Sequence, residues 1–383
     1  MTNSENTNLS GIYIHVPFCQ SRCIYCDFYS TVYGEDFKDR YVERLLKEMA
    51  DRKNEVDSLV DTIYVGGGTP SCLHSGRIEK MMSHLIQNFS LADNPEITLE
   101  ANPDDVTPSF VKHLVDIGVN RVSLGVQTFD DERLRFIRRR HSSRQAVKAV
   151  HTLVENGIDN VSIDLIFGFP NESVESWKKD LEQALFLPVK HLSAYSLMFE
   201  EGTLLTHMRD SGQIEEIDED LSLGMYDVLL DMTEKKGMEH YEISNFSYPG
   251  FRSHHNSKYW MGSPYVGFGP GAHSFNGVNV RRSNNSDLKS YIQSSDEVPY
   301  EIENLGADEL CDEFVFTSLR TKEGLDMRSL LARFGIERFN KIIVAAEAHV
   351  KSGLLKEVGG HLSFTHKGFF LSDLVMSDMM IVE

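Results

Sequence analysis

From residue 11 to about residue 200, short apolar runs alternate with amphipathic stretches. Ile12–Val16, Thr62–Val65, Glu96–Glu100, Arg121–Gly125, Asn160–Ile166 and His191–Ser196 have the length and composition of strands. Between them, Phe37–Arg52, Arg77–Asn88, Pro108–Ile117, Ser143–Glu155 and Val174–Leu185 carry apolar residues at helical spacing. Gly118 and Gly157 stand one or two residues past the last apolar position of a helix, where a left-handed C-cap is expected. Six strand and helix alternations predict a parallel sheet with helices outside it, because parallel neighbours need crossovers. An open doubly wound sheet and a curved barrel satisfy this pattern equally.

After residue 200 the pattern changes. Glu201–Asp220 reads as a polar, acidic connector and Leu221–Lys236 as a helix; Tyr241–Asn285 is rich in Gly, His and aromatic residues, with few signs of regular structure. Ala307–Leu319, Met327–Phe334 and Ile336–Val350 read as helices, and Gly353–Val358 and His361–Thr365 flank Gly359-Gly360, a two-residue hairpin signal. The expected organisation is a βα unit over 1–200, a connector and aromatic region over 201–300, and a winged-helix-like module over 301–383. Such modules often bind DNA, but 38 Lys+Arg against 58 Asp+Glu leave a net charge of -20. That balance excludes a general nucleic-acid role and favours packing or partner docking. The one basic cluster, Arg138–Arg140, is too short to reverse it.

No apolar run approaches the roughly 18 residues of a spanning helix. The first ten residues are polar and contain Glu5, unlike a signal core or a transit peptide. The expected location is the cytoplasm. Five cysteines are an odd number, and three of them, Cys19, Cys23 and Cys26, form a C-x3-C-x2-C array directly after the first strand. This is metal usage rather than a disulfide framework. A cubane cluster has four irons, so three thiolates leave one iron free to bind a small molecule. A structural zinc would want a fourth protein ligand. His15 is the local candidate, but it precedes Pro17 on the strand. Cys72 and Cys311 read as buried core thiols.

The array, with Tyr25 immediately before the third cysteine, resembles the signature of the radical S-adenosylmethionine (SAM) superfamily. The longer string Tyr13–Phe28 resembles the branch of oxygen-independent coproporphyrinogen III oxidases and HemW-type haem chaperones. The resemblance implies a partial (βα)6 barrel, in agreement with the six units counted above, with its chemistry at the C-terminal strand ends. It also implies a 4Fe-4S cluster on Cys19, Cys23 and Cys26 whose open iron takes the amino and carboxylate groups of SAM. In the family, an electron from the cluster cleaves the sulfonium to a 5'-deoxyadenosyl radical.

By family position, Tyr13, Tyr25, Gly67, Gly68, Thr69 and Glu100 are cofactor contacts. Gln127, Arg139 and Asp164 match positions around a second SAM in the oxidase branch. From the residues alone, Gly66-Gly67-Gly68-Thr69-Pro70 is a tight turn or a ligand loop with open N–H groups. Glu100 would equally suit a solvated strand end, Tyr13 the core, and Arg138 and Arg140 surface charge.

Two features separate the branches. The oxidases carry a further cysteine two residues after the third ligand, where this chain has Phe28, and a longer arm than the ten residues before Gly11. His255, Asn256, Tyr259 and Trp260 form a His-Asn-x-x-Tyr-Trp string that resembles the chaperones' haem-linked motif. Histidine suits haem iron and aromatic faces suit the macrocycle; the bland reading is a plug in the barrel mouth. Gly267–Ser274 resembles a further family loop of undefined ligand. The expected function is therefore haem binding and transfer to haem-accepting proteins, with the cluster regulating transfer or assembly of a homodimer. The alternatives are oxidative decarboxylation of coproporphyrinogen III and a zinc-bound adaptor.

Overall fold

The computed structural model describes residues 9–56 and 58–382, so the reading of the first residues, 1–8, lies outside the described residues. Six strands form its centre: β1 (Leu9–Val16), β2 (Leu59–Gly67), β3 (Leu91–Ala101), β4 (Arg121–Gln127), β5 (Asn160–Phe167) and β6 (His191–Ser196). Between them run α1 (Glu35–Asp51), α2 (Ser75–Asn88), α3 (Pro108–Asp116), α4 (Asp131–Phe136), α5 (Ser143–Glu155) and α6 (Val174–Phe186).

The strands lie side by side in chain order, and every neighbouring pair is parallel. A doubly wound sheet reverses its strand order at a switch point. No reversal occurs among these six, which is the ordering of a (βα) barrel. The barrel is open, because β1 and β6 each pair with a later strand instead of with each other.

Local sequence explains most of these boundaries. Ser142 and Gln145 form a reciprocal capping box that starts α5, and Thr107 and Ser173 cap α3 and α6. Gly118 and Gly157 have φ of 88° and 103°, the left-handed conformation their positions predict. In β1, Ile12, Ile14 and Val16 are buried against the helical layer, where Tyr41, Leu45 and Met49 of α1 join the same core. A strand buried on both faces leaves Tyr13 and His15 on the opposite side, toward the barrel interior.

The region expected to be largely irregular is regular. After α7 (Leu204–Asp210) and α8 (Glu219–Lys235) come β7 (Glu239–Glu242), β8 (Asn245–Ser247), α9 (His254–Trp260), β9 (Tyr265–Phe268), β10 (His273–Phe275) and β11 (Val280–Asn284), then α10 (Leu288–Gln293) and β12 (Tyr300–Asn304). Six of these segments extend both edges of the barrel sheet to twelve strands. Strands of three to five residues are too short to show a period, and edges already formed supply their pairing. The polar connector likewise contains α7.

The C-terminal part comprises α11 (Ala307–Leu319), β13 (Leu325–Asp326), α12 (Met327–Lys351), β14 (Leu355–Val358), β15 (His361–Phe364), α13 (His366–Phe370) and α14 (Ser372–Asp378). α12 is two helices meeting at Gly335, whose φ of 78° breaks the run as its sequence pattern predicts. Gly359 and Gly360, both at positive φ, turn the β14–β15 hairpin. The helices and a three-stranded sheet enclose their own core around Cys311, Val315, Ile342 and Phe364, a winged-helix-like arrangement. The last two helices were not expected from periodicity. Among the described residues no helix is long and apolar enough to cross a membrane.

Candidate cluster and cofactor site

The chain leaving β1 folds across the C-terminal strand ends. Its base is closed by Cys19 N donating to Thr31 O (2.8 Å) and Thr31 N donating to Pro17 O (2.8 Å). Cys19, Cys23 and Cys26 line one cavity of about 390 Å³, together with Tyr25. Opposite them stand residues from successive strand ends: Gly67, Gly68 and Thr69 after β2, Glu100 on β3, Gln127 on β4 and Asp164 on β5, with Arg139 beside them. Tyr13 is not on this wall; its hydroxyl is hydrogen-bonded to His15 Nδ1 at 3.0 Å.

Burial, partly offset by the Phe28 amide, pushes the Cys26 thiol up to about 11. A thiolate there needs a cation to stabilise it, as a metal centre would. Among the described residues no three Cys, His, Asp or Glu side chains are grouped to grip a single ion. A cubane fits this arrangement better than one zinc, because each thiolate takes a separate iron. His15 is not available as a fourth ligand: its Nε2 is bonded to Tyr29 O at 2.9 Å, its Nδ1 to Tyr13, and burial lowers its pKa.

The glycine turn departs from the expected open N–H groups. Gly67 N donates to Glu100 Oε2 (3.0 Å), Gly68 N to Val16 O (2.8 Å) and Thr69 N to Phe18 O (2.7 Å). Glycine is required for proximity instead: a Cβ on Gly67 would lie 2.6 Å from the His15 ring, and one on Gly68 would lie 2.6 Å from Phe18 O. The turn therefore clamps β2 against the cysteine loop, with the Thr69 hydroxyl 3.5 Å from Cys19 Sγ.

Glu100 accepts from Tyr64 Oη at 2.7 Å as well as from Gly67, and burial pushes its carboxyl up to about 7. Asp164 accepts from Ser123 Oγ at 3.2 Å, and burial raises it too. For Glu100 the folded pKa exceeds the unfolded one, so the native state holds the extra proton between about pH 4.5 and pH 7. Stability of the cluster-free protein should therefore fall as pH rises through that window, by up to roughly 3 kcal/mol, less what cavity water screens. Glu100→Gln should flatten that part of the profile of urea midpoint against pH; an unchanged slope would refute the assignment.

Arg139 donates to Asn102 Oδ1 (2.7 Å) and to Gly125 O, with Nη1 3.6 Å from Cys23 Sγ. Gly125 is needed there, since its Cβ would fall 2.7 Å from Arg139 Nη2. A bulge between Gly125 and Gln127 leaves Gln127 at φ 69°, a strained conformation for a residue with a side chain. Arg140 is more than surface charge: it pairs with Asp104 (3.0 Å) and Asp105 (3.1 Å) and donates to Gln20 of the cysteine loop.

Sequence reasoning missed Arg121. It is 1% exposed, lines the same cavity, makes no ion pair among the described residues, and leaves its Nε without a partner. Its charge favours the ionised forms of Glu100 and Asp164. The only signal was an arginine opening an apolar strand.

The His-Asn-x-x-Tyr-Trp string is split by α9. His255 is 1% exposed and bonded to Thr62 Oγ1 and Tyr259 Oη, both at 2.9 Å; burial lowers it to about 3. Asn256 lines the cysteine cavity, whereas Tyr259 and Trp260 line a second one. The Gly267–Ser274 loop is held internally, with Gly269 N donating to buried Glu48 (2.9 Å) and Gly267 O accepting from Arg52 (2.8 Å).

A family model described as Radical SAM superfamily matches residues 13–184, and one described as HemN C-terminal domain matches residues 305–371. The chain is 34% identical to "Heme chaperone HemW" of Lactococcus lactis over 97% of both chains. It is 32% identical to the protein of the same name from Bacillus subtilis, over 96% of this chain and 98% of that one. The corresponding Mycobacterium tuberculosis protein is 35% identical over 97% and 94%. Among solved structures, coproporphyrinogen III oxidase (HemN) from Escherichia coli superposes with a TM-score of 0.85 at 22% identity, covering 98% of this chain and 91% of that one, a likeness of fold. With full-length identity above 30% to the three proteins named HemW, the chain belongs to the HemW family of radical SAM proteins.

Proposed function

We propose that this protein is a haem chaperone, which binds haem and passes it to haem-accepting proteins in the cytoplasm. The full-length similarity to proteins named as haem chaperones carries this reading. In it, Cys19, Cys23 and Cys26 hold a 4Fe-4S cluster in the first cavity and leave one iron for SAM. When bound, that pair supplies a one-electron donor and a chelated sulfonium.

The chain's own residues then have separate tasks. The carboxylates of Glu100 and Asp164 accept from the cofactor's hydroxyl or ammonium groups, and Arg139 and Gln127 fix its position at the strand ends. Arg121, on the buried side, partly offsets the burial that disfavours the ionised forms of the two acids. The Gly67–Thr69 turn holds the cysteine loop against β2, and Tyr25 packs it on the apolar cluster of Ile137, Ile166 and Leu197.

Phe28, 64% exposed at the rim of this cavity, stands where the oxidases carry a cysteine and speaks against decarboxylation of coproporphyrinogen III. Two assays separate carrier from catalyst. Cluster-loaded protein should retain hemin through gel filtration and release it to a haem-free acceptor. With coproporphyrinogen III, SAM and a reductant under anaerobic conditions, it should form no protoporphyrinogen. Turnover in the second assay together with no retention in the first would reverse the conclusion.

A further inference from the structure

The second cavity, about 1080 Å³, opens between the α9–β9 region and the C-terminal helices, and none of the residues assigned to the cluster or to SAM lies in it. Its size matches the upper range of small-molecule sites. Its aromatic lining is Tyr259, Trp260 and Tyr265 with Phe314 and Phe316 of α11, and the Arg320 guanidinium stacks on the Trp260 and Phe316 rings at 5.0 and 5.4 Å. Tyr259 and Tyr265 pack edge to face at 4.8 Å.

The polar groups in this cavity are not equivalent. Arg281 is occupied by Glu313 at 2.8 Å, and Arg252 is held between Glu239 (3.1 Å) and Glu323 (2.8 Å). Arg333, by contrast, has no carboxylate partner among the described residues; its guanidinium lies over the Phe314 ring, 4.6 Å from the centroid. His361, the first residue of β15, is half-buried in the same cavity, cross-strand from Asp326, and its imidazole makes no hydrogen bond among the described residues. It differs from His255, whose two ring nitrogens are both engaged inside the barrel.

We propose that haem is seated in this second cavity, with the His361 imidazole ligating the iron and Arg333 pairing with a propionate. The inference rests on the chaperone reading and adds the location and ligand to it. A metalloporphyrin needs flat apolar faces, a nitrogen donor for the iron and a cation for its carboxylates. The second cavity offers all three, and among the described residues Arg333 has no carboxylate partner and the His361 imidazole no hydrogen bond. The first cavity, of about 390 Å³, is lined instead by the cysteines and strand-end acids.

Hemin titration of the full-length, cluster-loaded protein, followed by the Soret band, tests this. His361→Gly should shift the band and weaken binding about tenfold or more, and added imidazole should restore the spectrum. Arg333→Glu should weaken hemin binding about tenfold while leaving binding of the haem dimethyl ester, which has no free carboxylates, close to that of the unaltered protein. Recovery with imidazole distinguishes a lost ligand from a lost fold, and Arg333 is on an exposed helix surface, where the change leaves the core intact. If the unaltered protein holds hemin and both variants match it in spectrum and affinity, the site lies elsewhere and the chaperone reading stands. If the unaltered protein holds no hemin, the chaperone reading fails and this assignment fails with it.

Discussion

Alanine at Cys19, Cys23 or Cys26, one at a time, should reduce iron and sulfide from about four of each per chain to nearly none. The reason lies in how few substitutes the cavity has. Cys72 is the nearest spare thiol in the fold, but it donates to Phe18 O at 3.5 Å, and burial pushes it up to about 12. It is therefore a poor thiolate and cannot replace a missing ligand. His15 is occupied on both nitrogens. The loop itself should survive the change, because the bonds that close it, between Cys19 N, Thr31 and Pro17, use backbone groups and no sulfur. Iron and sulfide analysis after anaerobic reconstitution, with circular dichroism as the control for folding, decides the matter. Cys72→Ser should keep the full cluster. A single alanine variant with undiminished iron would mean that the metal sits elsewhere.

Glu48→Ala should lower stability by about 3–5 kcal/mol, the cost of breaking a buried charged network from one side. Glu48 is 1% exposed, and its two oxygens accept four bonds. The donors are Arg52 Nη1 (2.6 Å), Asn284 Nδ2 (2.7 Å), Gly269 N (2.9 Å) and Tyr291 Oη (2.7 Å). They come from the residue after α1, β11, the β9–β10 loop and α10, and Glu48 itself lies on α1, so one carboxylate ties the first helix of the barrel to the strands added later at its β1 edge. Removing it leaves Gly269 N and Tyr291 Oη without an acceptor, although Arg52 keeps Glu55 at 2.7 Å and Gly267 O at 2.8 Å, and Asn284 Nδ2 keeps Gly269 O at 2.9 Å. The urea midpoint of the cluster-free protein measures the loss. A shift worth less than about 1 kcal/mol would show that water replaces the carboxylate at small cost.

The network also explains why the Gly267–Ser274 loop looked like a ligand loop. Its glycines allow close approach, but what approaches is the protein itself. A Cβ on Gly269, at φ 98°, would lie 2.5 Å from His15 O. Glu48 was equally hidden, since an acid on an amphipathic helix reads as solvent-facing unless its partners are known. In the same way the N–H groups of the Gly67–Thr69 turn, apparently free for a ligand, are satisfied by strands distant in sequence.

What the chain alone determined is what depends on near neighbours. The six βα units follow from apolar spacing and from caps such as Ser142 and Gly118, and the cluster loop follows from three cysteines within eight residues, a chelate that local geometry can close. Tertiary structure decided which polar side chains share a cavity, because crossover connections bring residues 19 to 256 to one set of strand ends. It also sealed His255 and placed Asn256 and Trp260 in different cavities, since a seven-residue helix passes between two spaces that no local pattern records. The barrel order itself was settled only by pairing: periodicity fixes where a strand is, while hydrogen bonds to its neighbours fix which strand lies beside it.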